Sequence, residues 1–126
     1  MEFALVMVGS ALGGVARFWL SGRVGRRVGE TFPWGTMAVN ASGALLIGLV
    51  AAVSAAGGPG DGRVWHFSVF GFLGSFTTVS SFSLQTLSLA LQGARRQAAA
   101  NVALTFGLCL PAVALGYFAG AWLGRL

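Results

Sequence analysis

Lysine is absent from these 126 residues, and charge of either sign is scarce: eight arginines and three acids leave 9% of the chain charged. A soluble domain carries about 25% charged residues, so this chain lacks the polar groups to cover its own surface in water. One cysteine, Cys109, rules out an intramolecular disulfide and any metal site built from several cysteines. The acids Glu2, Glu30 and Asp61 are terminal or in connections, and the single histidine, His66, stands near the end of an apolar run. Proton-coupled transport generally draws on a carboxylate or histidine inside the membrane, so that class lacks its groups. No nucleophile–base pair and no cluster of metal-ligating residues is visible, which ranks membrane enzymes last. The start of the chain shows neither a basic n-region nor an A-x-A cleavage site, so the first apolar run is expected to be retained.

What the chain has in abundance is apolar length. Hydrophobic residues make up 56% of it, and the mean hydropathy is +0.78. Four runs, roughly 3–20, 34–56, 64–91 and 98–123, approach or exceed the ~20 residues that a helix needs to cross hydrocarbon. They are apolar almost all round, which excludes helices lying in the interface. The expectation is an all-α membrane protein, one domain over 1–126 with four transmembrane helices. The connections read SGRVGRRVGETFP, GGPGDGR and QGARRQ; the Gly-Pro-Gly of the second is a breaker, and Pro33 suits the first turn of the second helix. Gly9 and Gly13 form a G-x-x-x-G, and Ala44 and Gly48 repeat the small spacing, which favours close helix contact.

Four spans put both termini and the second connection on one side. Arg23, Arg26, Arg27, Arg95 and Arg96 fall on the other side, against Arg63 and Arg125. Five against two places both termini outside the cytoplasm by the positive-inside rule. The arginines therefore speak for topology and lipid contact rather than nucleic acid.

One stretch does not belong in plain hydrocarbon. Gly71 to Ser83 reads GFLGSFTTVSSFS, with two glycines and six hydroxyl residues in the middle of the third run. Asn40 lies about seven residues into the second span, where an unpaired amide costs several kcal/mol. Asn101, Thr105 and Cys109 recur every four residues in the fourth span, hence on one face. Taken singly, each hydroxyl is explained by back-bonding to its own helix and Asn40 by joining two helices. Taken together, polar residues on three spans converge into a wet path. Glycine and local hydroxyl bonds also weaken the helix between Gly74 and Ser81. A third helix broken mid-membrane frees carbonyls that favour a cation, and helix N-termini that favour an anion. Phe82 is flanked by hydroxyls on both sides, so its positively polarised edge can face an anion. Arg17, the one charge well within a span, is either a snorkelling anchor or a cation drawing anions inward.

These pieces resemble the Fluc/CrcB family of fluoride channels over essentially the whole chain. The resemblance is carried by GGVARFWL at Gly13–Leu20, FPWGTMAVNASGALLIG at Phe32–Gly48, and GFLGSFTTVSSFS itself. It implies a passive, fluoride-selective channel in the cell (plasma or inner) membrane that exports fluoride and relieves its toxicity. It implies an antiparallel, dual-topology dimer with two pores along the subunit interface, and a third helix broken near its middle. The carbonyls corresponding to Gly74 and Thr77 would bind a central structural Na⁺. The fluoride path would pass Asn40 and Phe82, the hydroxyls of Ser80 and Ser81, and a fourth-helix face of Asn101, Thr105 and Cys109; Arg17 matches the family's first-helix arginine.

The chain also departs from the family's pattern GG-x-TTFSTFS-x-E. Ser75 stands for the second glycine, Val79 for the first of two "box" phenylalanines, Ser81 for a threonine and Gln85 for the glutamate. With the arginine bias, these departures leave open a homodimer or a heterodimer with a second, oppositely biased subunit. They also leave open a non-conducting or half-active partner subunit. A small multidrug resistance-type transporter, also four spans, would need an acid in the first span, where only Glu2 stands at the terminus.

Overall fold

The computed structural model describes residues 1–57 and 62–126. The Gly58-Pro59-Gly60 breaker and Asp61 lie outside the described residues. Four stretches are long and apolar enough to cross a membrane: Glu2–Val28, Trp34–Ala55, Gly62–Leu91 and Arg95–Leu123. The first, second and fourth are single helices, α1 (Glu2–Val28), α2 (Trp34–Ala55) and α6 (Arg95–Leu123). At 1.5 Å per residue α2 is about 33 Å long, close to the ~30 Å hydrocarbon thickness, whereas α1 at about 40 Å overshoots it.

The helix thus runs on past Leu20, where the apolar run ends. Arginine is a good helix former, and Arg26 and Arg27 occupy the last turn, where the free carbonyls attract cations. The helix stops only at Gly29, whose φ of 107° lies in the left-handed region that a side chain disfavours. Its N–H donates to the Gly25 carbonyl at 2.9 Å. Arg23, Arg26 and Arg27 therefore project from a helix end rather than from a loop. Arg95 and Arg96 likewise begin α6 three residues ahead of the expected start at Ala98. Pro33 sits at the residue before α2, and Phe32 and Trp34 pack ring to ring at 4.7 Å.

The third span is composite. A short α3 (Gly62–Trp65) runs into a π-helical stretch, His66–Leu73, and then α4 (Gly74–Phe76). Thr77 (φ −77°, ψ 156°) and Thr78 (φ −149°, ψ 121°) are extended, and helix resumes as α5 (Val79–Leu91).

Backbones approach one another closely at several helix glycines. Gly48 of α2 faces the Val113 carbonyl of α6, and Gly116 of α6 faces the Leu45 carbonyl of α2. A Cβ on Gly9 would stand 2.5 Å from the Phe67 oxygen, closer than real Cβ atoms come, and Gly13 abuts Phe72 in the same way. Both small-residue motifs thus serve packing within one chain: Gly9 and Gly13 seat α1 on the π-helical stretch, and Gly48 seats α2 on α6. Hydrocarbon gives no hydrophobic drive between helices, so this close van der Waals contact is what joins them. Val39, Leu73 and Phe76 form the buried core where α1, α2 and the third span meet, with Ala16, Leu20 and Phe72 packed against it.

Candidate functional site

The site is built around the two extended residues. In an uninterrupted helix the Thr78 N–H would reach the carbonyl of Gly74, four residues back. Here it donates to Asn40 Oδ1 at 2.8 Å, while Asn40 Nδ2 donates to the Thr78 carbonyl at 2.9 Å. One amide side chain on α2 thus satisfies both backbone groups of Thr78. The Thr78 hydroxyl caps α5 by accepting from Ser81 N–H at 3.1 Å, a donor that continuous helix would give to the Thr77 carbonyl. It also lies 3.1 Å from the Ser80 hydroxyl. Thr77 turns its hydroxyl back to the Leu73 carbonyl at 3.0 Å and lays its methyl on Gly43. Gly43 is what lets α2 come this near; a Cβ there would strike the Thr77 methyl. The break takes the helical donors from the carbonyls of residues 74–77; those of Gly74 and Thr77 are the ones whose donors now serve Asn40 and the Thr78 hydroxyl.

Beside this junction lies a largely apolar cleft of about 550 Å³. Asn40, Gly74, Thr77, Phe82, Thr105 and Cys109, all singled out from sequence, line it together, with Thr78 and Val79 at its edge. Phe82 meets Phe106 edge-on, centroids 6.4 Å apart and rings at 89°. The Cys109 thiol is free and half-buried.

Four predicted residues lie off this cleft. Arg17 and Ser81 border a separate, more polar cavity of about 240 Å³ with Gly14, Ser21, Thr36 and Thr78. Thr78 touches both cavities, so the junction separates an apolar chamber from a polar one. Ser80 is exposed and joined to the junction through the Thr78 hydroxyl. Asn101 is only 2% exposed and lies off the cleft lining. Its Nδ2 donates to Thr86 Oγ1 at 2.8 Å, Thr86 Oγ1 donates to the Phe82 carbonyl at 2.7 Å, and the Thr105 hydroxyl reaches Asn101 Oδ1 at 3.5 Å.

Sequence reasoning passed over Thr36, Thr78 and Thr86 as site residues. Each carried a signal: Thr36 is one turn before Asn40, Thr86 one turn after Phe82, and Thr78 precedes Ser81 by the three residues of a helix cap.

A family model described as CrcB-like protein, Camphor Resistance (CrcB), matches residues 4–117. The fluoride-specific ion channel FluC 2 of Bradyrhizobium diazoefficiens is 53% identical over 121 residues, covering 94% of this chain and 88% of its own length. FluC 2 of Rhodopseudomonas palustris is 56% identical over 119 residues, covering 90% and 88%. FluC 4 of Brucella abortus biovar 1 is 52% identical over 121 residues, covering 94% and 91%.

Proposed function

Since this chain belongs to the CrcB family, we propose that it is a fluoride-selective passive channel, not an enzyme, that lets fluoride leave the cell down its gradient. It is a multi-pass membrane protein, placed by this reading in the plasma or inner membrane. The observation that carries the proposal is the reciprocal pairing of Asn40 with Thr78 at the mouth of a cleft shared with Phe82.

A bare ion faces a Born penalty of order 20 kcal/mol in a medium of low dielectric constant. An amide nitrogen carries two hydrogens; one is spent on Thr78, and the second is a donor held at fixed orientation beside the cleft. The Cys109 thiol and the edge of Phe82 continue the partial positive lining of the cleft, and the Ser80 and Ser81 hydroxyls extend the path past Thr78. Arg17, in the polar cavity on the far side of Thr78, raises the local anion concentration. Asn101 serves the path from behind its wall. Several modest contacts in series bind the ion weakly enough for it to leave again.

The same reading makes the Thr77–Thr78 interruption the mid-membrane break of the third helix. The Gly74 and Thr77 carbonyls, released from helical donors, are neutral hard oxygens that suit Na⁺, which would hold the break and its neighbours in place. A second, antiparallel copy closes the open cleft against lipid. Val79 is 77% exposed and brings no ring to the cleft edge, and this favours a second arrangement: a heterodimer in which this chain is the half-active or non-conducting partner. Fluoride-electrode efflux from liposomes containing only this polypeptide tests the proposal. Rapid, chloride-independent release supports it, release only with a second family subunit selects the heterodimer, and release of neither kind overturns it.

A further inference from the structure

We infer that Thr86 is a positioning residue for Phe82, acting with Asn101 to hold the ring at the cleft; its effect on transport rests on the fluoride-channel reading above. Proton accounting fixes the order of the hydrogen bonds. The Phe82 carbonyl can only accept, so the single Thr86 hydroxyl proton goes to it at 2.7 Å. The Thr86 oxygen must then accept from Asn101 Nδ2 at 2.8 Å. Asn101 Oδ1 is left as an acceptor facing the Thr105 hydroxyl.

A threonine bonding to the carbonyl one turn back is common and carries no message by itself. Here the oxygen is gripped a second time from another helix, by an amide that is 2% exposed and has no water to turn to. The ring of the same Phe82 meets α6 again at Phe106, the neighbour of Thr105. Carbonyl and ring of one residue are thus tied to one stretch of α6, the first through Thr86 and the second by edge contact. Val79, one turn earlier, adds no further ring. The rotation of α5 that presents Phe82 to Asn40 and Thr78 is therefore set from α6.

Two measurements on the full-length protein test this. With 4-fluorophenylalanine in place of Phe82, the ¹⁹F spectrum in detergent should show one narrow resonance, preserved in Thr86→Ser and displaced or broadened in Thr86→Val. In liposomes Thr86→Val should lower fluoride efflux at least about tenfold and lower the fluoride-to-chloride ratio at least about threefold. Thr86→Ser should stay within about twofold of wild type. Asn101→Leu, which keeps the Thr86–Phe82 bond and removes the outer tie along with the Thr105 contact, should reproduce the spectral change and carries the test if Thr86→Val does not fold. An unchanged spectrum in a folded Thr86→Val or Asn101→Leu protein overturns the inference, as does an equal defect in Thr86→Ser. A wild type that releases no fluoride counts against the channel reading alone, and the ¹⁹F spectra then decide the role of Thr86.

Discussion

Asn40→Leu probes the junction, because leucine keeps the branched shape and heavy-atom count of asparagine and removes both of its hydrogen bonds. The structure gives those bonds as 2.9 Å and 2.8 Å to the carbonyl and N–H of buried Thr78. The Thr78 carbonyl keeps the first intrahelical bond of α5, so the N–H is the group left unsatisfied, at a cost of about 1–3 kcal/mol. Every 1.4 kcal/mol withdrawn from the conducting geometry is a factor of about ten in its population. Even the low end therefore lowers fluoride efflux about fivefold, and the thermal midpoint of the detergent-solubilised protein should fall alongside. Asn40→Asp adds a sign to the test. A protonated carboxyl has one donor and one acceptor and can re-form both ties, whereas the carboxylate loses the tie to the Thr78 carbonyl and repels the anion. Efflux through Asn40→Asp should therefore rise as pH is lowered from 8 to 6, measured against wild type at each pH. If Asn40→Leu conducts within threefold of wild type with an unmoved midpoint, the junction is not what shapes the path.

Gly116→Ala puts a methyl into the Leu45 carbonyl, so it should cost about 1–3 kcal/mol and lower the thermal midpoint; Gly107→Ala, with nothing within 4 Å, should leave it unmoved. Val79→Phe places a ring at an open position beside the cleft and should raise efflux at least about threefold in liposomes; a decrease would show that the missing ring is not limiting. Exchanging Na⁺ for a bulky organic cation during purification should lower the midpoint of wild type, and indifference to the exchange argues against a cation at Gly74 and Thr77. Arg17→Gln should slow efflux most at low ionic strength and little at high salt, as expected of a charge that gathers ions rather than binding them tightly.

Apolar length alone disclosed the four spans, and Asn40 and the Gly74–Ser81 stretch announced themselves by polarity in the wrong surroundings. The partner of Asn40 was not legible, because it is a backbone amide 38 residues away that becomes available only once Thr77 and Thr78 leave the helix. Polarity alone does not mark the end of α1, because arginine continues a helix into the headgroup layer at little cost. The four-residue spacing of Asn101, Thr105 and Cys109 suggested one face. Four residues turn a helix by about 400°, so each step drifts about 40°, and over two steps Asn101 turns into the α5 contact while Thr105 and Cys109 stay on the cleft.

The Asn40–Thr78 pairing also has a consequence for how the chain is made. The side chain that pairs with Thr78 resides on a segment synthesised earlier, so α2 is made before residues 77 and 78. Until that meeting, the Thr78 N–H remains thirsty in an oily medium, and the later half of the third span has reason to linger near the headgroups. The order of spans along the polypeptide is thereby also a timetable for assembly, and a copy whose second helix enters misaligned cannot complete its third.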